Sequence, residues 1–255
     1  MTDAANEFDI VARKVNKRFG ANHVLRDLDM EVRKNETFAI VGPSGCGKSV
    51  FLKHIIGLLT ADSGEIVVLG KQLHRLDHGE LLALRRRIGM VFQSSALLNS
   101  LTVEQNVALG LVENGERDRD KVKQIVDEKL ALVGMTGTNE LLPEELSGGM
   151  KKRVAVARTL ALEPEIILFD EPTTGLDPIM CENVDDLILE TKKQVGCTSV
   201  VVSHDMITAF SVADRVGLFH EGRLTAVGTP EQFLKSSEKA VQSFIRRNVN
   251  WSWQS

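Results

Sequence analysis

Several short stretches carry residue types suited to chemistry on a phosphate. GPSGCGKS, Gly42 to Ser49, satisfies G-x-x-x-x-G-K-[ST] in full. Its glycines free the backbone to wrap an anion with N–H groups pointing inward. A helix directly after it adds partial positive charge, worth roughly 0.3–1 kcal/mol. Lys48 is placed to reach β- and γ-phosphates, and the Ser49 hydroxyl to bind Mg²⁺. IILFDEP, Ile166 to Pro172, ends an apolar run in two carboxylates. A buried strand does not end in paired acids unless each charge has a partner. Asp170 fits an acid that holds Mg²⁺, and Glu171 fits a general base that orients or deprotonates an attacking water. LSGGMKKR, Leu146 to Arg153, reads as a second anion seat, with Ser147 as N-cap and Gly148 and Gly149 allowing close backbone approach. Gln93, after IGMVF, and His204, after VVVS, are lone polar residues whose meaning depends on where they lie relative to the phosphate loop.

These residues need elements to position them. Phe8 to Val15 alternates loosely and Val24 to Val32 alternates better, as for a strand and its hairpin partner. TFAIV, Thr37 to Val41, reads as a buried strand that runs into the Gly-rich loop, with an amphipathic helix following through Leu58. Ile66 to Leu69 and Ile88 to Phe92 read as strands, with Leu81 to Arg87 helical between them. From Thr102 to Leu162 the pattern turns helical, with a polar connector at Glu113 to Asp120 and one face of Lys121 to Val133 broken only by Lys129. Strand and helix then alternate: strands at Ile166 to Phe169, Ser199 to Val202 and Val216 to His220, helices at Cys181 to Lys193 and Met206 to Val212. In the helix that LSGGM opens, Met150, Val154, Ala157 and Ala161 keep a helical rhythm. This is the pattern of an α/β core with a helical insertion.

Bulk properties narrow the function. The 255 residues are 43% hydrophobic and 26% charged, enough to bury a sizeable core. A net charge of -4 argues against a chain that coats nucleic acid, which needs clustered surplus Lys and Arg. Cys46, Cys181 and Cys197 have no metal-like spacing, so a reduced, cytosolic compartment is expected. MTDAANEFDI has neither a basic n-region nor an apolar h-region, so no secretory leader is expected. No apolar run approaches the roughly 18–20 residues that cross a bilayer. Any membrane role is therefore borrowed from a partner.

The ordered set GPSGCGKS, FQ, LSGGM, ILFDEP, GLDP and VSHD resembles the ATP-binding-cassette (ABC) ATPases over nearly the whole chain. The resemblance implies a P-loop NTPase core with a mainly parallel sheet, an N-terminal antiparallel β-subdomain and an inserted helical subdomain. It places a single ABC ATPase domain over 6–245, with the core and β-subdomain in 8–93 and 163–230, the helical subdomain in 94–162 and a tail at 246–255. It implies a head-to-tail dimer in which each ATP lies between one copy's P-loop and the other copy's signature. Carried over, Gly42, Pro43, Ser44, Gly45, Cys46, Gly47, Lys48, Ser49 and Val50 contact the nucleotide, and Ser49, Gln93 and Asp170 serve Mg²⁺. Gln93 resembles the Q-loop glutamine near the membrane subunit. Ser147, Gly148 and Gly149 resemble the signature residues on the opposite γ-phosphate. Asp177 resembles the D-loop aspartate, His204 the switch histidine, and Phe19 sits where the family stacks an aromatic on adenine. Glu171, His204 and Gln93 form the implied catalytic set.

The short span from Gln93 to Leu146 leaves no room for the long coiled coils of DNA-repair members, and the chain has one cassette and no spans of its own. A stand-alone cassette serving separate permease subunits at the cytoplasmic face of the inner membrane is expected. LSGGM with its basic pair, VAVARTLALEPE, FQSSALLNSLTVEQNVALGL and AVQSFI is similar to the Mce/Mla-type phospholipid transport ATPases. That resemblance implies lipid transport, with an Mce-type lipid-binding subunit and a small regulatory subunit as possible partners and no nucleic acid. Two alternatives stay open: the ATPase of a polar amino-acid or other solute importer, and a soluble regulatory or nucleic-acid-linked ABC ATPase. Trp251 and Trp253 in the tail fit either a frayed end or an interface anchor.

Overall fold

The computed structural model describes residues 7–248; Trp251 and Trp253 lie outside them. The chain opens with β1 (Phe8–Phe19), β2 (Asn22–Arg33), β3 (Thr37–Val41), α1 (Lys48–Ile55), β4 (Ser63–Val68), β5 (Lys71–Gln72), α2 (His78–Arg85) and β6 (Ile88–Val91). A helical stretch follows: α3 (Val103–Glu113), α4 (Arg119–Leu132) and α5 (Gly148–Leu160). It closes with β7 (Ile166–Asp170), α6 (Pro178–Val195), β8 (Thr198–Ser203), α7 (Met206–Val212), β9 (Arg215–His220), β10 (Arg223–Gly228), α8 (Pro230–Leu234) and α9 (Lys239–Asn248).

The strands form an antiparallel sheet in the order β2-β1-β4-β5 and a six-stranded sheet in the order β10-β9-β3-β8-β7-β6. The larger sheet is parallel except for β10. Its central strands are buried along their length, as TFAIV and TSVVVS require when helices cover both faces. The strand period divides the core. Ile166 and Leu168 of β7 join the cluster around Phe51, Leu52 and the antiparallel sheet, whereas Ile167 and Phe169 join the cluster built with α3, α4, α5 and α6.

Element boundaries depart from the sequence expectations for local reasons. The β1–β2 hairpin extends to Phe19 opposite Asn22, and register shifts along it explain the loose alternation of its first strand. Helix α1 stops at Ile55 rather than Leu58, because Gly57 turns left-handed (φ 66°) and Leu58 N–H folds back to the Lys53 carbonyl. The expected helical block is broken between α4 and α5, where Gly134 is left-handed. Helix α6 begins at Pro178 rather than Cys181, with Asp177 accepting from Met180 N–H and proline in the first turn. Strand β10 and the closing helices α8 and α9 add to the expected elements. Phe233, Val241 and Phe244 dock them on α7 and β3.

Candidate active site

The phosphate loop links β3 to α1 and is built for a bare backbone. A Cβ on Gly42 would lie 2.2 Å from the Phe219 carbonyl oxygen, and one on Gly47 3.0 Å from Val24 Cγ1. Gly45 and Gly47 hold φ of 77° and 109°, a region that disfavours side chains. Gly47 caps α1 without any side-chain hydrogen bond, so no local side chain occupies the helix's first N–H donors. Lys48 is buried, and its ammonium donates to the carbonyls of Gly42 (2.8 Å) and Pro43 (3.0 Å). Cys46 lies half-buried behind the loop, where burial pushes its thiol pKa up.

Strand β7 delivers the carboxylates. Ser49 Oγ donates to Asp170 Oδ1 at 2.7 Å, bringing two hard oxygen ligands together at the start of α1. Glu171 follows in a left-handed conformation (φ 52°), sparsely populated for a residue with a Cβ and common at functional sites. Its backbone N–H stays tied to the Val202 carbonyl. Its carboxylate meets four groups: Lys48 Nζ at 3.7 Å, Thr174 Oγ1 at 3.1 Å, His204 Nδ1 at 2.5 Å and the His204 backbone N–H at 3.3 Å. His204 follows β8, the neighbour of β7, which is why the two side chains meet. A pocket of about 490 Å³ collects Ser44, Gly45, Gly47, Lys48, Ser49, Val50, Gln93, Glu171 and His204. Glycine conformations, a buried ammonium, the Ser49–Asp170 oxygen pair and an acid–histidine pair together fit a nucleoside polyphosphate with a divalent cation.

Sequence reasoning missed Asn22, Val24 and Thr174, which also line the pocket. The first two come from the hairpin and carry no motif; Thr174 was legible only as part of the DEPTT run. Other expected residues lie elsewhere. Phe19 is 46% exposed at the end of β1, with Lys17 Nζ 5.5 Å from its ring centre, and does not line this pocket. Asp177 caps α6. Ser147 caps α5, its Oγ accepting from Met150 N–H at 3.2 Å. Gly148 and Gly149 let the first turn of α5 approach α6: Cβ atoms there would lie 3.3 Å from Leu176 Cδ2 and 2.9 Å from Met180 Sδ. None of these signature residues lines the pocket within the chain.

Among the described residues, no helix is long and apolar enough to cross a membrane. Known proteins share much of this sequence and fold. Residues 25–174 match the family model described as "ABC transporter". The intermembrane phospholipid transport system ATP-binding protein MlaF of Haemophilus influenzae is 39% identical, over 94% of this chain and 91% of that one. The methionine import ATP-binding protein MetN of Carboxydothermus hydrogenoformans is 41% identical, over 88% of this chain and 66% of that one. Among solved structures, the dimeric post-hydrolysis ATP-binding cassette MJ0796 bound to ADP and Pi is similar with a TM-score of 0.78 at 31% identity, over 87% of this chain and 98% of that one. The chain therefore belongs to the ABC transporter family and is one of its ATP-binding, ATP-hydrolysing cassettes.

Proposed function

We propose that the chain powers lipid transport, with phospholipid as the cargo class, through separate permease subunits. The observation that carries this reading is its similarity to MlaF along nearly the full length of both chains. LSGGM in the signature agrees with it. Two copies pair, as in the dimeric MJ0796 structures, and the pairing is head to tail, so that Ser147, Gly148 and Gly149 of one copy face the ATP held by the other. The chain sits at the cytoplasmic face of the inner membrane, held there by its permeases, with an Mce-type subunit and a small regulatory subunit as further partners.

In this mechanism Lys48 and the loop N–H groups bind the phosphates, and Ser49, Asp170 and Gln93 would hold Mg²⁺. The metal, when bound, neutralises charge that develops on the phosphate oxygens. Glu171 takes the proton of the attacking water, and His204 orients Glu171 and reaches the γ-phosphate side of the pocket. Phe19 stacks on adenine and Asp177 serves the contact between copies.

A second reading, a small-solute importer ATPase, is favoured by the 41% identity to MetN. Purifying the tagged chain with its native membrane subunits separates the two. A co-purifying Mce-like lipid-binding protein supports lipid transport; a small-solute permease supports the importer. A chain that purifies alone, with ATPase activity that responds to DNA or ribosomes, defeats both.

A further inference from the structure

The loop that carries Gln93 is gripped from the signature helix. Lys152 of α5 is only 4% exposed, and its ammonium donates to the carbonyls of Gln93 and Phe92. One and a half turns further, Arg158 donates to the carbonyls of Ala96 (2.7 Å) and Ser95 (2.8 Å). Neither cation is paired with an acid among the described residues, and burial alone lowers the pKa of each. Taking unpaired charges out of water is costly, and four backbone carbonyls of one short loop are what these two receive in return. The loop needs holding. Ser95 and Ala96 both sit at left-handed φ, 61° and 47°, where residues with a Cβ are uncommon. Ser95 is buried, whereas Gln93 is exposed to the pocket it lines.

We propose that Lys152 and Arg158 are positioning residues that clamp the Gln93 loop onto the signature helix, so that Gln93 in the pocket and the Ser147 turn move as one body. Lys152 acts on the backbone of Gln93 itself and sets where that side chain enters the pocket. Arg158 holds the left-handed turn that lets the loop leave β6. The clamp rests on the reading of Gln93 as a residue of the nucleotide pocket.

The test is steady-state ATPase kinetics of the full chain with Lys152→Met, which keeps the apolar stem and removes the donors, beside Lys152→Arg, Gln93→Ala and the double variant. Removing charge-assisted hydrogen bonds of this kind lowers kcat for Lys152→Met by about tenfold. KM and the melting temperature stay near wild type, and Lys152→Arg recovers most of the rate. The Gln93→Ala, Lys152→Met pair is no slower than Gln93→Ala alone, because Lys152 acts through Gln93. Amides of residues 92–97 exchange faster in Lys152→Met. An impaired Gln93→Ala beside a normal Lys152→Met overturns the clamp alone. Fully additive losses, or a Lys152→Met chain slowed only in proportion to lost thermal stability, also overturn it. A Gln93→Ala chain at wild-type rate removes the pocket role of Gln93 and the clamp with it.

Discussion

The phosphate loop and the signature turn are both glycine-bearing helix starts, yet they are finished differently. At α1 the N-cap is Gly47, left-handed and without a side-chain cap, so the first N–H donors are left for a ligand. At α5 the N-cap is Ser147, whose oxygen already accepts from Met150 N–H. The glycines differ too. Gly42 and Gly47 let the loop approach the backbone of Phe219 and Val24, whereas Gly148 and Gly149 meet only the side chains of Leu176 and Met180. The phosphate loop is ringed by Lys48, Glu171 and His204 from its own chain; the signature turn stands outside that pocket. A self-sufficient site needs both binding and acid–base groups. By that measure the first seat is equipped for chemistry, whereas the second has none of these groups around it in its own chain, which is what the proposed pairing of two copies requires.

Substitutions can break this comparison on either side. The largest effect is expected for Glu171→Gln, which keeps the shape and removes the base: kcat falls about 10²–10⁴-fold while nucleotide binding is retained. Rapid-quench or steady-state hydrolysis with parallel nucleotide titration checks it, and near-normal turnover would falsify the role of Glu171. Next is Lys48→Ala. Losing charge-assisted bonds to phosphate weakens ATP binding by about 10–100-fold; calorimetric titration reads this directly. Smallest is Ser147→Ala, which removes the α5 cap and costs about 1 kcal/mol of stability in the unpaired chain. Chemical denaturation of the chain alone measures it, and an unchanged midpoint would mean the cap is not what holds that turn.

Much of this contrast was legible in the sequence because motif spacing and strand ends coincide. GPSGCGKS follows an apolar run, so the loop's position at the end of β3 was fixed by pattern. FDEP and VSHD each end a strand, and only parallel pairing of β7 with β8 was needed to bring Glu171 to His204. Less legible was everything that depends on long-range packing. Asn22 and Val24 enter the pocket from a hairpin with no signature. Lys129 looked like a break in an apolar face, yet it is buried with its ammonium on Glu128 at 2.6 Å. Lys152 is one of the basic pair after LSGGM, and only the fold shows its ammonium on loop carbonyls. A long side chain hides its destination: its stem suits a core and its head suits solvent, so sequence alone does not choose.

The central claim, that the signature turn serves the ATP of another copy, is tested most directly by mixing two inactive chains. Lys48→Ala lacks a working phosphate loop but keeps its signature. Ser147→Asp keeps a good N-cap, and so its fold, but sets a carboxylate against phosphate. Each alone is expected to hydrolyse ATP at a small fraction of the wild-type rate. Mixed dimers contain one site made of a sound phosphate loop and a sound signature, so mixing restores substantial hydrolysis. Wild-type turnover by Ser147→Asp alone, or no recovery on mixing chains shown to form mixed dimers, would contradict the account.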